Sequence, residues 1–151
     1  MFSVWGEIAN NEFAVVVTDA VGELFPDDPP LLLARTPHGY HDEATIRSDL
    51  TAAGFSDPAT VEVLEHRSRA STAEHPAIAY CQGTPLRNEL EQRDPACLHE
   101  ATAHAAIRLT ERFGSTDLDS GIRGRVISCR ALAGHRHDLV VHHDLVRVAH
   151  D

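Results

Sequence analysis

Met1-Phe2-Ser3-Val4-Trp5-Gly6-Glu7-Ile8-Ala9-Asn10-Asn11-Glu12-Phe13 reads as a short strand, a polar turn and the start of a helix. Phe2, Val4 and Trp5 supply the strand, and Gly6 and Glu7 lead away from it. Asn10 or Asn11 is placed to cap the helix by accepting from its free N–H groups. A buried strand normally has other strands before it in a sheet. The stretch therefore sets up the expectation that residues 1–134 are the rear part of a larger α/β domain.

Working outward, Phe13, Val16, Val17, Ala20, Val21 and Leu24 recur at helical spacing, so a helix is expected from about Asn11 to Leu24. Pro26, Pro29 and Pro30 stop it, and Leu31, Leu32 and Leu33 form an apolar run that must find cover. Arg35 to His41 reads as a turn. Asp42 caps a second helix with Ile46, Leu50 and Ala53 on its buried side, and Gly54 ends it. Thr60–His66 alternates around Val61 and Val63 as a strand. From Ser71 to Gly114 the chain is expected to be helical. A short helix covers about Ala73 to Gln82, and the cap-then-proline pairs Thr84-Pro85 and Asp94-Pro95 start the next two. The last of these carries Leu98, Ala101, Ala105, Leu109 and Phe113 on one face. Ser115 to Gly124 reads as a polar loop, and Arg125–Leu132 as the last strand.

Bulk chemistry narrows the function. The chain has 151 residues, of which 42% are hydrophobic, enough for one domain with a core. Its formal charge is −10 and all its strong cations are Arg, an acidic balance that argues against nucleic acid and against anionic membranes. No apolar run approaches the roughly 20 residues that span a bilayer. The expectation is a soluble, cytoplasmic protein. Cys81, Cys97 and Cys129 are far apart and form no CxxC pair, so they read as small buried residues. Residues 135–151 form a His-rich tail, expected to be poorly ordered. His135, His137, His142, His143 and Asp144 are metal-ligand types, but their spacing fixes no geometry, and no metal is expected.

Five stretches, "FSVWGEIANNEFA", "FPDDPP", "PHGYHD", "LTAAGFS" and "AIAYCQGTPLRNELEQRD", resemble the C-terminal half of class I S-adenosylmethionine-dependent methyltransferases. The closest subgroup is the one named for ubiquinone and menaquinone biosynthesis. The resemblance covers roughly Met1 to Leu132. It implies a partial Rossmann-like sheet, mixed in direction, with strands equivalent to 5-7-6 and a helical insertion between the last two strands in sequence. It implies methyl transfer to a small organic acceptor. The family's cofactor elements, a glycine-rich first turn and an acidic residue on the ribose, belong to strands that these residues do not match, and the nine glycines include no GxGxG. The cofactor-binding half is thus absent from this chain, and it is expected to be weakly active or inactive alone. The other expectation is a noncatalytic, self-associating α/β module binding an apolar ligand or a protein partner. On either view the bare edge of the first strand predicts a homodimer or a partner chain supplying the missing strands.

Six residues are candidates for binding the acceptor. Trp5 stands at the end of the first strand, or packs under the first helix; Asn11 follows it, as acceptor ligand or helix cap. His38 and Tyr40, with His41, form a polar-aromatic turn that borders the pocket or is simply solvated; a His there could serve as a base. Tyr80 and Arg87 lie on the helical insertion. Local structure accounts for Gly83, Thr84, Pro85 and Leu86 of "GTPLR", and Arg87 either binds an anionic group or pairs with Glu91 one turn on.

Overall fold

Phe2–Trp5 forms the first strand, β1, and a single 3-10 turn at Ile8–Asn10 leads into helix α1, Glu12–Leu24. The computed structural model describes residues 1–55 and 58–130. The proposed tail at 135–151 and its histidines lie outside the described residues, as do Ala131 and Leu132. After α1 come α2 (Leu32–Arg35), α3 (Glu43–Ala52), β2 (Thr60–Thr72), α4 (Glu74–Cys81), α5 (Leu86–Arg93), α6 (Leu98–Phe113) and β3 (Thr116–Ser128). The fold is α/β: one three-stranded sheet and several helices, with α4, α5 and α6 inserted between the last two strands.

The sheet order is β1-β3-β2, so the last strand in sequence sits in the middle. Both pairings are antiparallel. The expected mixed sheet is therefore corrected. β1 and β2 point the same way but never touch, because β3 separates them.

The strand boundaries also move. β2 runs on past His66 to Thr72, and the stretch expected as a polar loop is the first half of β3. Side-chain alternation explains this. Ala70 faces Leu118 and Ser68 faces Ser120 on one side of the ribbon, where Leu118 and Ser120 are sealed. On the other side Arg67 Nε reaches Asp119 Oδ1 at 2.8 Å and Arg69 Nε reaches Asp119 Oδ2 at 3.6 Å. Cross-strand ion pairs of this kind let polar residues form a strand.

α1 and α6 bury much of the stripe their spacing marks, whereas of the expected α3 stripe Ile46 is buried, Leu50 half-buried and Ala53 exposed past the end of the helix. Phe13, Val17, Ala20 and Val21 of α1 pack with Ala101, Ala105 and Leu109 of α6, and Ala77, Cys81, Leu86, Leu90 and Leu118 complete that cluster. Leu33 of α2 closes it and Leu32 packs against it half-buried, while Leu31 stays exposed, so the apolar run at Leu31–Leu33 finds cover only in part. A second, smaller cluster of Ile46, Ala59 and Ile127 seats α3. Leu118 and Ile127 are nine positions apart on one strand in an unbroken register, so the two clusters lie on opposite faces of the sheet.

Local signals work as read in most places. Asp42 Oδ2 accepts from the Thr45 N–H at 2.7 Å and caps α3. Gly54 (φ 85°) and Gly114 (φ 91°) follow α3 and α6 in the left-handed region that glycine favours. Cys81 and Cys97 are buried free thiols; Cys129 is free and half-buried. Among the described residues, no helix is long and apolar enough to cross a membrane.

Candidate functional site

The carboxyl end of β1 carries a buried polar knot. Asn11 occupies the N-cap position of α1 yet makes no capping bond, a correction to its expected role as a cap. Its Nδ2 donates instead to the Glu7 carbonyl at 3.0 Å, with the Gly6 carbonyl at 3.4 Å, and its Oδ1 accepts from the Arg123 N–H at 3.2 Å. Gly6 N–H in turn donates to the Arg123 carbonyl at 2.8 Å. One amide side chain thus ties the end of β1, the start of α1 and the middle of β3. Beside it Glu12 Oε2 accepts from the Gly121 N–H at 2.6 Å, a second clamp from α1 onto β3.

His38 enters this knot from the loop after α2. It is 6% exposed, so the solvated alternative is set aside. Its Nδ1 lies 2.9 Å from the Gly6 carbonyl oxygen. A carbonyl only accepts, so Nδ1 carries the proton and donates. The contact between His38 Nδ1 and Asn11 Nδ2 at 3.4 Å is then donor against donor, and Asn11 spends its hydrogens on Glu7 and Gly6. Burial lowers the His38 pKa, the Gly6 hydrogen bond opposes this, and His41 adds a smaller push downward. His38 is accordingly a neutral imidazole at pH 7, with Nε2 as its acceptor.

Trp5 stands beside this ring. The two ring centroids are 6.3 Å apart with planes tilted by 45°. Trp5 is 48% exposed, so it is not packed away beneath the first helix. Its partner on β3 is Gly124.

The other candidates are engaged elsewhere. Tyr40 is exposed and donates to Asp49 Oδ2 at 2.8 Å. Desolvation, then the Asp49 carboxylate, pushes its phenol up to about 12. Tyr80 packs against the larger core cluster, and burial raises its pKa. Arg87 pairs with Glu91 at 2.8 Å, the structural alternative for that residue. The structure thus brings Trp5, Asn11 and His38 together and leaves Tyr80 and Arg87 apart from them. Sequence reasoning missed the backbone partners in Gly6 and Arg123, and the Glu12 clamp. The one available signal was Gly121 and Gly124 standing three apart in a polar stretch.

Two shallow surface grooves lie away from this corner. One, of about 250 Å³, is lined by Val16, Asp19, Arg108, Glu111 and Arg112; the other, of about 380 Å³, by Arg69, Ala70, Ser71, Asp117, Leu118 and Asp119. Among the described residues no group of three His, Cys, Asp or Glu is placed to hold a metal ion. Nor do these residues fit S-adenosylmethionine. Gly6 lies against Arg123, Gly121 against Glu12 and Gly124 against Val4 and Trp5, and none belongs to a glycine-rich strand-turn-helix. No protein-family profile matches the chain, and no curated protein matches it.

Proposed function

We propose that this chain is the C-terminal part of a class I S-adenosylmethionine-dependent methyltransferase, with the Trp5–Asn11–His38 corner as its methyl-acceptor site. One observation carries the reading: the sheet order β1-β3-β2, with the last strand antiparallel and central. That is the order expected for strands equivalent to 5-7-6 of the Rossmann-like methyltransferase sheet. Support also comes from the position of the corner at the carboxyl end of β1, where open α/β sheets place their ligands. In this arrangement the corner positions a small organic acceptor, and the cofactor is held by strands added at the outer edge of β1. Those strands come from a partner chain or from coding sequence in frame with this one.

The experiment joins the chain to the strand-turn-helix segment found in frame upstream or in a neighbouring gene, and titrates S-adenosylmethionine by calorimetry. Micromolar binding by the assembled protein, and none by residues 1–151 alone, is expected. Micromolar binding by these residues alone would place the cofactor site within them and overturn this division of labour. So would a genomic neighbourhood without any glycine-rich strand-turn-helix.

A noncatalytic, self-associating module is the second reading. It is favoured by the outer edge of β1, which pairs with no described strand, and by Phe2 and Trp5, which are 37% and 48% exposed. Light scattering at micromolar concentration tests this association: a dimer or larger species is expected, and a monodisperse monomer contradicts it.

A further inference from the structure

The face of the sheet that α3 sits on is filled only at one end. There Ile46 packs on Ile127, with Val4 and Val61 beside it. Further along the ribbon, strand alternation puts Val63, Glu65, Arg67 and Arg69 of β2 on that same face, opposite Arg125, Arg123, Gly121 and Asp119 of β3. Arg67, Arg69, Arg123 and Arg125 thus stand among two carboxylates, those of Glu65 and Asp119, on a chain whose formal charge is −10. The stretch is open. Val63 is 49% exposed, and the side chains of Arg67 and Arg69 are 52% and 73% exposed.

These cations are under-matched. Arg67 Nε holds Asp119 Oδ1 at 2.8 Å, and Arg69 Nε is left 3.6 Å from Oδ2, beyond hydrogen-bond distance. Arg123 pairs with Glu65. Arg125 Nε and Nη1 are buried and find no hydrogen-bond partner among the described residues.

We propose that this arginine face docks an acidic segment of a partner protein, laid along the β2–β3 ribbon with its carboxylates on Arg67 and Arg69. Three observations select that occupant. Val63 and Arg69 are six positions apart on β2, which at ~3.3 Å per residue is roughly 20 Å, the length of an extended peptide segment and not of one small anion. Guanidinium forks match carboxylates in shape as well as in charge. The exposed Val63 in the same row gives an apolar side chain of that segment a contact, and a phosphate backbone has no such group. The acidic surplus of the rest of the chain repels a polyphosphate at long range, whereas a short peptide with few charges meets the local cations. The face is separate from the Trp5–Asn11–His38 corner, and the proposal does not rest on methyl transfer.

The probe is an end-blocked, fluorescent peptide of about seven residues alternating Glu and Val, titrated into the full 151-residue chain and read by anisotropy. Its counterpart carries Gln in place of Glu, and a labelled single-stranded oligonucleotide of similar length stands for nucleic acid. A saturable rise is expected with the Glu peptide at low salt. The Gln peptide should bind about tenfold more weakly, the worth of a hydrogen bond to a charged group, and about 0.5 M salt should abolish the difference. Arg69→Ala should weaken the Glu peptide about tenfold. Asp119→Asn should tighten it several-fold, because Arg67 and Arg69 lose their internal competitor. Both side chains are exposed and their pairs lie at the surface, so both variants keep the fold. Absence of a saturable rise, equal affinity for the Glu and Gln peptides, an affinity that Arg69→Ala or Asp119→Asn leaves unchanged, or tighter binding of the oligonucleotide would overturn the proposal.

Discussion

The two ends of this molecule are held by different physics. Under α1, α4 and α6 the cohesion is apolar: Phe13, Val17, Val21, Leu86, Leu90 and Leu109 interlock with small residues between them. At the carboxyl end of β1 the corner is tied by the bonds of Asn11 and His38, and the small apolar cluster of Ile46, Ala59 and Ile127 lies on the other face of the sheet. Apolar burial is non-directional and supplies most of the stability. Hydrogen bonds contribute less net energy but fix direction. The helical end therefore holds the chain folded, and the hydrogen bonds fix the geometry of the β1 corner.

Substitutions can break or sharpen that contrast. The largest loss is expected from Leu109→Ala, since Leu109 is fully buried at the centre of the helical core; urea denaturation should show about 2–5 kcal/mol. Next is Gly39→Ala. A Cβ at Gly39 would run into the Arg35 carbonyl oxygen, so the backbone carrying His38 must shift. A cost of about 1–3 kcal/mol is expected, together with a displaced Trp5 indole signal, whereas Leu109→Ala should leave that signal close to its native position.

Smaller effects follow. Asn11→Ala leaves the Arg123 N–H without its partner, at a cost of about 1–2 kcal/mol by the same denaturation measurement. The pH dependence of stability has a definite sign. Burial favours neutral His38 in the folded chain, so the unfolded chain takes up its proton first as pH falls past about 6.5. Stability present above that pH is then lost as the pH falls through the lower folded-state value. Thermal melts between pH 7 and pH 5 should show this decline, and His38→Gln should flatten it. Arg87→Ala should change stability by less than about 0.5 kcal/mol, because its pair with Glu91 is a surface i,i+4 contact.

The longer helices, the Asp42 cap and the glycine stops were legible in the sequence because their signals are local. The stripes of α1 and α6, the Asp42 cap and the glycine stops all follow from residues within a turn or two of one another. The β2–β3 ribbon was not. Thr116 to Gly124 looks like a loop until Asp119 meets Arg67, 52 positions away. The corner was half legible. Trp5, Asn11 and His38 were chosen for their chemistry, but the burial of His38 depends on Gly6, 32 positions earlier, and the true work of Asn11 on Arg123, 112 positions later. Tyr80 and Arg87 were chosen for their place on the helical insertion, and packing gave them other partners.

The central claim is that β1 is an interior strand of a longer sheet, and backbone hydrogen exchange tests it residue by residue. Gly6 N–H bonds the Arg123 carbonyl, so by antiparallel alternation the amides of Phe2 and Val4 face β3, while those of Ser3 and Trp5 face the outer edge. In the assembled protein, or in this chain at a concentration where it self-associates, the account predicts that Ser3 and Trp5 are protected as strongly as Val4. Fast exchange at Ser3 and Trp5 beside slow exchange at Phe2 and Val4 would show a bare edge and contradict it.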